Sequence, residues 1–125
     1  MTDDELVERF ERGDLDAEAF GHPQHVRVAW LQLSRLPLLD AIGRHTTALQ
    51  RLTARLGQPQ RYHATMTVAY LLLIYERMAD EATWEAFAAR NDDLLDRGAQ
   101  LLSRHYAPAQ LHGDAARRAF HPPQT

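Results

Sequence analysis

Through "LLDAIGRHTTALQRLTARL" the apolar side chains step by four and three, so that Leu38, Ile42, Leu49, Leu52 and Leu56 form one seam with His45 standing on it. A period near 3.6 puts these six on one face of a helix, and such a face must be buried against other helices. The spacing recurs at Val26, Ala29, Trp30, Leu33 and Leu36. No segment alternates with the period of two that a half-buried strand needs. Pro37, Gly57 and Pro59 punctuate the helical stretches, and short connections between long amphipathic helices favour antiparallel neighbours. The expectation is an all-α fold, an up-and-down bundle of four to five helices.

Thr2 followed by Glu5 fits a capping box, and Gly13 fits the stop of a short first helix. A second helix starts near Pro23 and ends at Pro37; the third carries the seam. A fourth, from about Gln60 to Ala79, is apolar nearly all round and is expected to be the most buried element. A fifth begins near Thr83, with Asn91 capping its continuation and Asp92 and Asp93 in the acidic first turn. Residues 1–120 are expected to form one helical bundle domain and 121–125 a flexible tail.

The chain has 125 residues, enough for one sizeable core. Its formal charge of −3 argues against a nucleic-acid-binding module, which would show a basic face. Cysteine is absent, which removes thiolate ligands and a cysteine nucleophile. All the basic side chains are Arg, so Schiff-base chemistry and a phosphate-loop lysine are excluded as well. Ser34 and Ser103 lie outside any nucleophile-elbow pattern. The acidic start "MTDDELVERF" lacks the basic region of a signal peptide, and "VAYLLLIY" is too short to span a bilayer. A cytoplasmic protein without membrane or nucleic-acid partners is expected, and any chemistry falls to His, Asp, Glu, Tyr, Thr and Arg.

The histidines suggest where. At a rise of about 1.5 Å per residue, His22 and His25 lie roughly 18–22 Å above the Pro37 turn. The third helix climbs roughly 30 Å to Gly57, and the chain then descends about 8–9 Å to His63, which returns it to a similar height. His22 and His25 share a helix side, while His63, Thr67 and Tyr70 form one stripe. His45 is expected roughly 10 Å lower by the same rise, paired with Tyr70 in a second layer. Three converging imidazoles with an open position suit a divalent first-row metal, Zn or Fe, which would polarise a substrate or activate water or dioxygen. His22, His25 and His63 are therefore the expected metal ligands, with His45, Thr67 and Tyr70 as catalytic or orienting groups. Asp16 or Glu18 would complete the surroundings, Glu18 being the first choice. Arg61 and Arg77 would attract a carboxylate substrate. Metal-free acid–base catalysis by His63 with Tyr70 is the other chemistry open to these residues. The stripe Arg44, Arg51, Arg55 on the third helix reads as solvated surface.

Other patterns fail. "DDLLD" at 92–96 matches the D-D-x-x-D of terpene synthases, but the chain is too short for that fold and lacks a second metal motif. Neither E-x-x-H nor H-E-x-x-H occurs, against a di-iron bundle or a zinc protease.

"FGHPQH" with "YHATMT", followed by "LLSRHYAPAQL" and "ARRAF", resembles a family of small all-helical bacterial proteins with F-x-H-x-x-H and Y-H-x-T-x-T patterns. The resemblance runs from Phe20 to Phe120 and rests on Phe20, His22, His25, Tyr62, His63, Thr65 and Thr67. It implies a bacterial helical protein and adds no chemistry of its own. His105 stands where the pattern has tyrosine.

The expected function is a small bacterial enzyme acting on an organic small molecule at a histidine-lined, metal-dependent site inside the bundle. The alternative is a non-catalytic helical partner protein whose fourth helix completes a homodimer or heterodimer.

Overall fold

The structure, a computed structural model, describes residues 1–16, 18, 20–96 and 98–123, without the side chains of residues 98 and 99. The described chain is all-helical. Helices α1 (Asp3–Arg12), α2 (His22–Arg35), α3 (Leu38–Arg55) and α4 (Ala64–Arg77) pack together, with α1 on α2 and α3, and α4 on both α2 and α3. Shorter helices follow: α5 (Trp84–Arg90), α6 (Asp92–Asp96), α7 (Gly98–Leu101), α8 (Pro108–His112) and α9 (Asp114–Arg118).

Local signals set the ends of α1. Thr2 Oγ1 accepts from the Glu5 N–H at 3.1 Å. Gly13 closes the helix at φ +73°, a left-handed conformation that glycine adopts without strain. Arg51 and Arg55 then reach across from α3 to the carbonyls of Glu11, Gly13 and Leu15, while Arg44 lies 3.8 Å from the Glu11 carboxylate. The arginine stripe is thus not idle surface. It holds the end of α1 onto α3, where guanidinium groups meet the helix's orphan carbonyls.

The most buried element is α2, not α4. Seven of its residues, from Val26 and Val28 to Leu33, are buried, against five in α4. The reason is position: α2 is packed by α1, α3, α4, α5 and α6. Trp30 lies against Trp84 and Phe87 from α5, with ring centroids 6.2 and 6.0 Å away.

One helix boundary differs from the sequence expectation. The fourth helix begins at Ala64 rather than near Gln60, because Pro59–Arg61 forms a separate 3-10 turn and His63 takes an extended backbone as the N-cap. The fifth ends at Asn91, whose backbone leaves the helical region at φ −132°, ψ 48°. The buried Asn91 amide donates to Phe87 O at 2.9 Å and accepts from Arg77 at 3.3 Å.

The C-terminal part folds back over α4, with α9 packed on it. Thr65 Oγ1 donates to Ala119 O and accepts from the His121 N–H, and Tyr106 Oη donates to His121 O at 2.7 Å. The tail expected to be loose from residue 121 is thus tied at its first residue, while residues 124 and 125 lie outside the described chain. No described helix is long and apolar enough to cross a membrane.

Candidate functional site

A cavity of about 290 Å³ opens between α2, α3 and α4. His22, His25, His45, His63, Thr67 and Tyr70 all line it, so the six residues singled out from the sequence share one space. Ala29, Leu49, Leu71, Ile74 and Leu102 supply apolar wall, and Arg61 contributes from the turn before α4. A second cavity of about 230 Å³ shares His25, Leu49 and Arg61 with the first.

Each histidine plays a different part. His63 is consumed by structure. Its Nδ1 accepts from the Met66 N–H at 3.1 Å, which caps α4, so Nε2 carries the proton donated to Leu111 O at 2.6 Å. Both nitrogens are spoken for. His22 stands at the start of α2, with Nε2 2.7 Å from Leu94 O and 3.3 Å from Tyr70 Oη. Tyr70 Oη also donates to Leu94 O, so one carbonyl of α6 gathers both side chains.

His25 stacks on Phe20, ring centroids 4.1 Å apart, and meets His45 edge-on at 6.4 Å. Neither His25 ring nitrogen has a hydrogen-bond partner among the described residues. His45 is 3% exposed and lies on Phe10. It is not paired with Tyr70, which meets His22. Its Nδ1 instead lies 2.8 Å from Gln32 Oε1. The Gln32 amide nitrogen donates in turn to Glu11 Oε2 at 3.2 Å. Because an ionised carboxylate only accepts, the Gln32 NH₂ must face Glu11, and its oxygen must face His45. The His45 proton therefore sits on Nδ1, and Nε2 keeps its lone pair. The chain Glu11–Gln32–His45 fixes one tautomer in a buried ring.

The electrostatics agree with neutral rings. Burial pushes His45 down to about 3 and His25 down to about 4, each with a smaller push from its histidine neighbour. Burial also raises the Tyr70 phenol, with Arg77 opposing and Asp93 adding. Tyr70 is thus a donor, not a base.

These facts leave the metal expectation for His22, His25 and His63 without support. Among the described residues, no group of three His, Cys, Asp or Glu side chains is arranged to hold a metal ion. His63 would have to surrender either the cap or the Leu111 bond to ligate one. Asp16 and Glu18 do not line the cavity; the carboxylate connected to it is Glu11. Arg77 is held by Asp93 at 2.6 Å and is not available to an incoming anion. Thr67 lines the cavity, and its side chain makes no hydrogen bond among the described residues. His105 borders a separate groove with Tyr106 and Phe120, and neither His112 nor His121 lines the histidine cavity.

Glu11 and Gln32 were missed. The signal for Gln32 was present in "VAWLQLSR", where an amide interrupts an apolar run on a buried helix and so requires partners. The chain matches no family model, and no curated protein or solved structure is significantly similar to it.

Proposed function

We propose that this chain is an enzyme that holds a small organic molecule in the histidine cavity and takes a proton from it at His45 Nε2. The observation that carries the reading is the Glu11–Gln32–His45 chain, which leaves a neutral imidazole with a defined lone pair in a partly apolar cavity. General bases are recognised by this combination of geometry and orienting partner.

The proton leaves a substrate O–H, N–H or acidified C–H and forms an N–H bond at Nε2. The electron pair of the broken bond stays on the substrate as an anion. Burial disfavours an isolated imidazolium, so the transfer is supported only while that anion stays beside the ring. Gln32 Oε1 accepts from Nδ1–H throughout, and its dipole stabilises the positive charge on the ring. Tyr70 and His22 also line the cavity, with the Tyr70 hydroxyl and His22 Nε2 committed to Leu94 O. Nothing in this scheme requires the His22/His25/His63 metal site.

A panel of small carbonyl and hydroxy compounds incubated with the protein in D₂O and followed by NMR tests the reading. Deuterium incorporation or conversion of at least one compound is expected, lost in His45→Gln. A panel unchanged by the protein, or a reaction that persists in His45→Gln, would sink it.

A further inference from the structure

The cavity's lining is uneven in charge. Among the described residues, no Asp or Glu lines it or the neighbouring 230 Å³ cavity, and Arg61 is the one formally charged lining residue in both. A cation placed at two joined cavities without an acidic neighbour attracts anions to that point.

Among the described residues Arg61 is also without a carboxylate partner. Several other arginines, though not all, are paired: Arg27 with Asp3, Arg35 with Asp4, Arg77 with Asp93 and Arg90 with Glu81. For Arg61 the described residues offer one neutral contact, Gln58 Oε1 at 2.9 Å from Nη1. Its backbone is nevertheless held in place. The 3-10 turn closes through Arg61 N–H to Gln58 O at 3.0 Å, and Arg117 from α9 bonds Gln60 O at 2.7 Å. A fixed backbone carrying an uncommitted guanidinium suits a planar, two-oxygen anion, which takes two parallel N–H bonds.

Depth adds the second constraint. Arg61 is exposed, whereas His45, Ala29, Leu49 and Leu71 are buried. A ligand entering from the Arg61 side thus meets a cation first, then hydrocarbon, and then the His45 acceptor. The volume of about 290 Å³ corresponds to roughly ten waters at ~30 Å³ each, so the ligand is small.

We infer that the cavity selects a small carboxylic acid with an apolar body, its carboxylate on Arg61 and an O–H or N–H donor at the far end on His45 Nε2. The inference rests on the small-molecule reading above and names the class that reading left open. Buried neutral imidazoles favour a donor over a second anion at the inner end, since His25 and His45 are both held far below the usual imidazole range.

Three matched probes test it by NMR titration of histidine-labelled protein: 4-hydroxyphenylacetate, phenylacetate and 4-methylphenol. All three should move the His25 and His45 signals, with 4-hydroxyphenylacetate binding tightest. Removing the carboxylate, as in 4-methylphenol, should weaken binding about tenfold or more. Arg61→Gln should bring 4-hydroxyphenylacetate down to the level of 4-methylphenol and leave 4-methylphenol unchanged. If 4-methylphenol binds as well as the acid, or Arg61→Gln spares the acid's affinity, the carboxylate assignment is wrong while the cavity reading stands. If phenylacetate matches 4-hydroxyphenylacetate, the His45 end of the assignment is wrong. If no probe at millimolar concentration moves His25 or His45, both the assignment and the small-molecule reading fail.

Discussion

Gln32 joins two groups that need opposite ends of an amide. Glu11 takes its N–H and the His45 Nδ1–H takes its oxygen, so a single buried side chain sets a proton's position 13 residues away in sequence. Gln32→Leu keeps the volume but strands the His45 donor, which should cost about 1–3 kcal/mol in urea denaturation. It should also let His45 populate both tautomers, visible in long-range ¹H–¹⁵N spectra; a spectrum unchanged from the parent would mean that Gln32 does not orient the ring. Gln32→Glu should act in the other direction. A carboxylate on Nδ1 favours the imidazolium, so His45 should titrate well above its present value of about 3. Titration of the His45 ring signals in that variant measures the change. The sequence made His45 conspicuous, because a histidine on an apolar seam must be satisfied. Its partner was less visible, because an amide between two leucines carries no chemical label until a neighbouring helix gives it one.

At the scale of the element, α4 shows how much a boundary of a few residues can alter a site. Read as a helix from Gln60, the chain makes His63 a free side chain on the stripe with Thr67 and Tyr70. Started at Ala64, it makes His63 the N-cap, with one nitrogen on Met66 and the other on Leu111. Pro59 and the following 3-10 turn were legible as punctuation, whereas capping by an imidazole was not, since Ser, Thr, Asp and Asn dominate that position. Height along the bundle was legible for His22, His25 and His63. It paired Tyr70 with His45, whereas Tyr70 meets His22 with ring centroids 5.5 Å apart, because counting rise assumes parallel axes and any crossing angle between helices shifts the level at which side chains meet. The cap and the tie to Leu111 can be separated. His63→Asn should keep the cap and lose the tie, so amide exchange should quicken in residues 111–121 with little loss at the start of α4. His63→Ala should lose both, at about 1–2 kcal/mol for the cap alone. Equal exchange in the two variants would show that the imidazole does not hold the C-terminal segment.

For the whole molecule, the neutral histidines make stability depend on pH in a defined direction. His25 and His45 sit at about 4 and about 3 in the folded protein, while an unfolded chain returns them to about 6.5. Between those values the unfolded state binds more protons, so stability rises with pH across this window. The contribution is complete above about pH 6.5 and is lost as acidification proceeds toward pH 3–4. Both rings are shifted in the same direction by burial, so their effects on stability add as the pH falls. Urea midpoints measured from pH 8 to pH 4 should therefore fall steeply below about pH 6, before most carboxylates begin to protonate. His45→Gln removes one titrating ring and should flatten that slope, even if the variant starts from lower stability at pH 7. A ligand that pairs an anion with His45 should also flatten it, since the imidazolium then has a partner in the folded state. An equally steep fall in His45→Gln would place the acid sensitivity elsewhere and remove the case for a buried neutral imidazole.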